Sequence, residues 1–540
     1  SEGAGSGLGP GTSTAPSSGA GSGVGGSIGN GIGKGTAGTG LAARGTEPSA
    51  KLGSDAGFST GSGTGLSTSR SGADAKLPAG ADTAEQAGKL VMAGPQASGG
   101  GGLAGGPSIA SIPRRSAGLP GSGGPSSGVG SPSSGSGTGQ PSRLSGGPNR
   151  GGVGDDRPKL ASAEQLAGLI KQSVPGIGAT TEAKISASLS LRKSDARREA
   201  AKSLGGSTAS EEAVERGLEW LVKHQHADGH WSIHNLSCRD HQCTGHGSFE
   251  SDTAATGLAL LAFLGAGYTH QSGAHQKIVE RGLKWVVEHQ KPDGDLFADK
   301  SEFVWFYSHG MAAIALCEAF GMTKDPALQT PAQKSLDFIV ASQHPQFGGW
   351  RYKPRFESDT SVSGWQLMAL KSGEMSGLSV SPNAYQGIGK WLDSVESKTL
   401  PGQYTYHPSR PVSVAMTAEG LLMRQYLGAK RNDERLIAGA DFLRRRLPDL
   451  AERDAYFWYY GTQVMFHMQG QHWEEWNARL RDILVTTQLK DGDSSGSWNP
   501  DRPTPEKWAA AGGRHYLTCL NLLMLEVYYR HLPLYVELGK

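Results

Sequence analysis

The chain has 540 residues, with 52 Lys+Arg against 50 Asp+Glu, a formal net charge of +2 and a pI near 8.2. Both signs are interspersed along the C-terminal part, and no basic stripe of the kind that binds nucleic acid is present. Composition is uneven: Phe58 is the sole aromatic residue before position 200, and 43 of the 81 glycines fall within residues 1–150.

A Gly/Ser/Pro stretch without aromatics buries too little apolar surface to offset its chain entropy. Residues 1–180 are therefore expected to form a flexible, disordered segment, 181–206 a helical or linker lead-in, and 207–535 the folded domain. The sequence contains no signal peptide and no uninterrupted apolar span of 18 residues, and it begins at Ser1 rather than Met. A long Gly/Ser tract suits a tether between a globular head and a membrane or cell-envelope anchor upstream of Ser1.

From residue 211 onward the chain repeats. "EEAVERGLEWLVKHQ" (211–225) and "QKIVERGLKWVVEHQ" (276–290) are near copies with apolar residues at helical spacing, and each ends at an Asp-Gly loop. A more apolar helix follows each, at 251–267 and 305–321. The alternation continues through 332–343 and 359–375, 384–397 and 413–428, 434–447 and 455–470, then 476–488 and 512–532. An amphipathic first helix and a second that is apolar on nearly all sides imply an outer and an inner layer. The predicted fold is all-α: an (α/α)6 toroid of six helical hairpins preceded by the disordered Gly/Ser-rich segment. An open helical solenoid is the alternative.

The loops between the helices also repeat: "QHADGHW" at 225–231, "QKPDGDLF" from Gln290, "QHPQFGGW" from Gln343 and "QLKDGDSSGSW" from Gln488. The first fits the Q-x-x-x-G-x-W repeat of squalene–hopene cyclases and related terpenoid cyclases. The segments "DTSVSGWQLMALKSG", "AMTAEGLLMRQYLG" and "GGRHYLTCLNLLMLEVYYRHLPLY" resemble bacterial prenyltransferase/squalene-oxidase repeat proteins, a group without an established common activity. The resemblance covers about 207–535 and implies the toroid that also occurs in protein prenyltransferase β subunits. A Gln side chain can satisfy backbone groups at a neighbouring helix end while the aromatic packs over it. Gln225, Trp231, Gln343, Trp350, Gln488 and Trp498 are therefore read as structural staples.

The chemistry of the resembling families is not carried over intact. Triterpene cyclases use a D-x-D-D-T acid motif, and the matching segments here are "FESDT" at 249–253 and 356–360. Ser251 stands where the family has its proton donor, and Asp252 and Thr253 remain. A lone Asp at a helix start is ordinarily an N-cap, so Asp252 and Asp359 are expected to cap. No Asp/Cys/His zinc set of the prenyltransferase type is found. Cys238, His241, Cys243 and His246 lie in one loop, 234–247, and three readings stand open for them: a zinc site, a Cys238–Cys243 disulfide, or unlinked residues.

If the inner helices begin at a common end, Asp252, Asp359, Tyr307, Ser308, His309, Tyr459, Tyr460, His515 and Tyr516 converge on a cavity mouth. The expected function is a non-catalytic head on a tether that binds an apolar or isoprenoid ligand or a protein partner. An isoprenoid-processing enzyme with a diverged site is the alternative. A carbohydrate-active (α/α)6 enzyme using Asp252 and Asp359 as its carboxylate pair is the second.

Overall fold

The computed structural model describes residues 194–238 and 243–535, together with residues 164, 165, 167, 168, 171, 188, 189 and 192. Nearly all of the segment expected to be disordered, 1–180, lies outside the described residues. Among them the chain forms fourteen α-helices and no strand. In chain order these are α1 (Ser194–Ser203), α2 (Thr208–Lys223), α3 (Asp252–Gly265), α4 (Gln276–Glu288), α5 (Trp305–Thr323), α6 (Pro326–Ser342) and α7 (Thr360–Met375). Then follow α8 (Pro382–Val395), α9 (Val414–Tyr426), α10 (Glu434–Arg444), α11 (Ala455–Met468), α12 (Gln471–Thr487), α13 (Ala509–Leu525) and α14 (Val527–Arg530).

Helices α2, α4, α6, α8, α10 and α12 form the outer layer, and α3, α5, α7, α9, α11 and α13 the inner ring. The burial patterns follow the sequence. On α4 only Val279, Gly282, Leu283, Trp285 and Val286 are buried, one stripe of an amphipathic helix. On α3 every residue after Asp252 is buried. Each inner helix packs against its two neighbours, and α13 packs on α3, so the ring closes and the open solenoid is excluded. Helix α5 with its preceding turn is apolar and long enough to cross a membrane, yet 83% of that stretch is buried inside the protein, as befits an inner helix.

The staples show why the ring closes. The Gln225 amide donates to the carbonyl of Gly229 in its own loop and to that of Ile278 in the first turn of the next outer helix, at 2.8 and 2.9 Å. Gln290 bridges Gly294 and Pro331 in the same way, and Gln343 bridges Gly348 and Ala384. Gln488, in the last hairpin, donates to Gly496 at 2.9 Å and to Ala213 in the first hairpin at 2.7 Å. That bond staples the last repeat to the first.

The loop glycine is required at each joint. Gly496 has φ +90°, and a Cβ there would lie 2.0 Å from the Arg216 carbonyl oxygen. The indoles of Trp231, Trp350 and Trp498 donate back to Leu221, Ile339 and Leu484 of their own outer helices.

Two predicted boundaries shift. The third outer helix begins at Pro326, not Ala332, because Asp325 caps it and proline suits its first position. The last inner helix stops at Leu525 and is kinked at Gly513, φ +62°.

Candidate functional site

The inner helices all begin at one end of the ring, and their first turns enclose a cavity of about 190 Å³. Its walls come from Ala254 and Leu258 of α3, Tyr307 and Met311 of α5, Ser361 of α7, Met416 of α9, Tyr456 of α11 and Tyr516 of α13. Loop residues Ile233, Phe249, Phe303, Tyr352, Tyr406 and Trp508 complete it, and Arg410, Asp454 and Lys507 are its charged lining groups. The helix starts are capped from within: Ser251, Asp359, Ser413 and Asp454 each accept a backbone N–H of the helix that follows. Asp454 also meets the Lys507 ammonium at 3.1 Å.

Behind this wall lie two carboxyl groups with no exposed surface, Asp359 and Glu419. The Tyr307 hydroxyl donates to Ser361 Oγ at 2.9 Å, Ser361 Oγ lies 2.6 Å from the Tyr456 hydroxyl, and Tyr456 donates to Glu419 at 3.1 Å. Burial pushes the Glu419 carboxyl well above the usual range, against the opposing effect of the Tyr460 and Tyr456 hydroxyls. Room for Glu419 exists because its neighbour is Gly364, where a Cβ would lie 2.0 Å from Glu419 Oε1. On the other side Tyr352 and Tyr406 share a hydrogen bond of 2.7 Å, and Tyr406 donates to Asp359 Oδ2 at 2.8 Å. Burial raises Asp359 to about 7, although the Val362 N–H, Arg351 and Tyr406 favour its ionised form. Both acids thus reach the cavity only through tyrosine and serine hydroxyls.

Of the residues expected at the mouth, Tyr307 and Tyr516 line the cavity. Asp359 caps α7 as expected, its Oδ1 accepting from Val362 at 2.7 Å. Asp252 does not cap: Ser251 does, and Asp252 is the first residue of α3. Its backbone N–H is taken by Asp299, which also accepts from Thr253. The Asp252 carboxylate faces His230 Nε2 at 3.6 Å and His234 Nδ1 at 3.8 Å instead. Asp252 and Asp359 do not form a facing pair, since Asp359 has no exposed surface to offer a sugar.

His309 is buried outside the cavity, between the Leu296 N–H at 3.1 Å, Asp295 and the Ser335 carbonyl. It stands in the position that Ser363 and Thr417 hold in later repeats, accepting the N–H of the loop residue equivalent to the motif aromatic. His515 bonds the Ala255 carbonyl, and burial lowers it to about 4. Ser308 bonds the Val304 carbonyl, and Tyr459 lines a separate small cavity of about 40 Å³. Tyr460 is buried beside Glu419.

In the 234–247 loop, His241 lies outside the described residues. Cys238 and Cys243 are unlinked thiols. The Cys243 N–H points to Cys238 Sγ at 3.3 Å, and Cys243 Sγ lies 2.9 Å from His224 Nε2, a partner that its distance in sequence concealed. Burial, then the contact with Cys238, pushes the Cys243 thiol up to about 12, so it is held as a thiol. His246 spends both ring nitrogens on the backbone, at Leu236 and Cys243. Among the described residues no three His, Cys, Asp or Glu side chains stand together as metal ligands.

Tyr352, Tyr406, Ser361, Tyr456 and Glu419 were not singled out by the sequence. One signal was available. The residue two places after the motif aromatic lines the cavity in three repeats, as Ile233, Tyr352 and Tyr406.

Residues 199–306 match the family model of the squalene–hopene cyclase C-terminal domain. Over those residues, the first part of the folded domain, the chain is similar to that domain, and the ring of six helical hairpins is terpenoid-cyclase-like in its fold. Solved structures with similar backbones include an inactive variant of the α-1,6-mannanase GH76A of Salegentibacter sp. bound to α-1,6-mannotriose (10% identity, 59% of this chain and 99% of that one, TM-score 0.43). They also include the type II terpene cyclase MstE of Scytonema with geranylgeranyl dihydroxybenzoate (13%, 60% and 98%, 0.38) and the cellobiose 2-epimerase of Bacillus thermoamylovorans (11%, 59% and 97%, 0.46). A comparison with curated proteins returned no match.

Proposed function

We propose that the toroid is a non-catalytic binding head, carried on the Gly/Ser-rich segment, that takes an apolar ligand into its mouth cavity. The observation that carries this reading is the cavity itself, about 190 Å³ walled mainly by aromatic and aliphatic side chains. Its lining carboxylate, Asp454, is engaged as a helix cap and with Lys507. Asp359 and Glu419 stay behind hydroxyl groups. Titration of the full chain with naphthalene, followed by tryptophan fluorescence, should show saturable one-site binding. Ala415→Trp, which fills the mouth from a half-buried position, should abolish it. Absence of binding, or turnover of an isoprenoid substrate that disappears in Asp252→Asn, would overturn the reading.

A second reading, an isoprenoid-processing enzyme, draws on one contact: the cavity-lining Tyr406 hydroxyl bonds Asp359, a carboxyl that burial raises to about 7. It predicts cyclised product from a polyprene, lost in Asp359→Asn with the fold intact.

A further inference from the structure

The polar groups of the cavity are unevenly placed. Five of its eight hydroxyl side chains gather where α5, α7 and α11 meet the loops of the third and fourth hairpins, while Ile233, Phe249, Ala254, Leu258 and Phe303 offer carbon. Tyr307, Ser361 and Tyr456 form one hydrogen-bonded run and Tyr352 with Tyr406 another, each ending on a buried carboxyl. A hydroxyl both donates and accepts, so either run can turn to serve a new oxygen at little cost. We propose that these two hydroxyl runs receive one uncharged oxygen function, an alcohol, phenol or ketone, on an otherwise apolar ligand.

This inference rests on the mouth cavity being a ligand site and adds which end of the ligand is recognised, and by what. The physical case is one of exclusion as well as attraction. An ionised head in this corner would lose its water and find dipoles rather than an opposite charge. Burial pushes Glu419 toward its neutral form, and Arg351, 3.6 Å from Asp359, is also engaged by Glu357. An ionised Asp359 would repel an anion outright. The competing influence is at the opening, where Arg410 and Lys507 join the helix starts in favouring negative charge. The two influences predict opposite rankings, so a matched set of ligands separates them.

The experiment compares naphthalene, 2-naphthol and 2-naphthoate binding to the full chain at pH 7, in the wild type and in two double variants, Tyr456→Phe/Tyr406→Phe and Ser361→Ala/Tyr406→Phe, each of which removes a hydroxyl from both runs. One added hydrogen bond should make 2-naphthol bind about tenfold tighter than naphthalene. The naphthoate should bind more weakly than either. In both variants the ratio of naphthol to naphthalene affinity should fall to about unity, while saturable naphthalene binding persists and shows that the cavity is still formed. Naphthalene binding without a naphthol preference, a preference that survives both variants, or naphthoate binding tightest would each overturn the inference and leave the apolar site standing. No binding of any of the three would overturn both.

Discussion

At the end where the inner helices finish, the ring is closed by charge; at the end where they begin, it is left open, lined mainly by uncharged groups with Arg410, Asp454 and Lys507 as the charged exceptions. Arg192, just ahead of α1, is buried with Glu318 of α5 at 2.7 Å and the Arg530 carbonyl at 3.3 Å. Arg530 meets the other Glu318 oxygen at 2.8 Å and the Leu261 carbonyl at 2.9 Å. Arg197 joins Glu211, Glu215 and the Ala266 carbonyl at the end of α3. Guanidinium groups suit helix C-termini, whose carbonyls carry partial negative charge. At the mouth the helix N-termini are satisfied by Ser and Asp caps, and the acids behind them are driven toward their neutral forms. The same ring of parallel dipoles thus selects cations at one end and neutral or capping oxygens at the other, and only the second leaves room for a guest.

The largest effect expected from breaking this contrast is at the charged end. Arg192→Ala leaves Glu318 buried with half its partners, and breaking a buried pair costs about 3–5 kcal/mol. Urea denaturation should show the loss, and naphthalene affinity at the mouth should be unchanged in the fraction that folds. Next comes the seam between the last and first hairpins. Gly496→Ala forces a positive φ on a side chain and drives its Cβ into the Arg216 carbonyl, at a cost of about 2 kcal/mol or more. The stapling amide tests the same seam more gently: Gln488→Ala, leaving the Ala213 and Gly496 carbonyls without their donor, should cost about 1–3 kcal/mol.

Asp359 gives the neutral end its own signature. Its folded-state value of about 7 lies above the ordinary aspartate range near 4. The folded chain therefore binds more protons than the unfolded one between those values. The stability this confers is present below about pH 4 and is lost as pH rises to about 7. Glu506, raised by burial and then by Asp454 to about 7, acts in the same sense. Comparing urea midpoints at pH 5 and pH 8, Asp359→Asn should lose less stability across that interval than the wild type, and Glu506 keeps the difference from vanishing. An equal or steeper loss in the variant would show that Asp359 is ionised throughout.

The architecture was legible in the sequence because its period is written locally. Gln, Gly and an aromatic recur in four of the six hairpin loops, and amphipathic and apolar helices alternate. Even closure was implicit, since Gln488 repeats a motif whose partner is always the following outer helix, and after the sixth hairpin only the first remains. The cavity was legible only as a location. Its hydroxyl runs assemble from Tyr307, Tyr352, Ser361, Tyr406 and Tyr456, which belong to four different hairpins, and only Tyr352 and Tyr406 share a local spacing, two places after the motif aromatic. Asp252 was misread as a cap because Ser251, one residue earlier, holds the extended backbone that a cap needs. Its own backbone partner, Asp299, arrives from the next hairpin's loop.

His309 is the sharpest case of a wall residue that sequence alone places at the site. A histidine near a helix start beside tyrosines invites a chemical role. The repeat assigns it another, because it lies thirteen residues after Leu296, as Ser363 does after Trp350 and Thr417 after Tyr404. In each case the side chain accepts the loop N–H, at 3.0–3.1 Å. Histidine differs only in reaching further: with Nδ1 accepting from Leu296, its Nε2–H donates to the Ser335 carbonyl, which fastens the second loop to α6. His309→Ser should keep the shared bond and lose the extra one, costing about 1 kcal/mol. It should leave the affinities and ranking of the three naphthyl ligands untouched, because no atom of His309 lines the cavity. A change in ligand ranking would show that wall and cavity are coupled through α5, and the division between stapling residues and ligand-facing residues would have to be redrawn there.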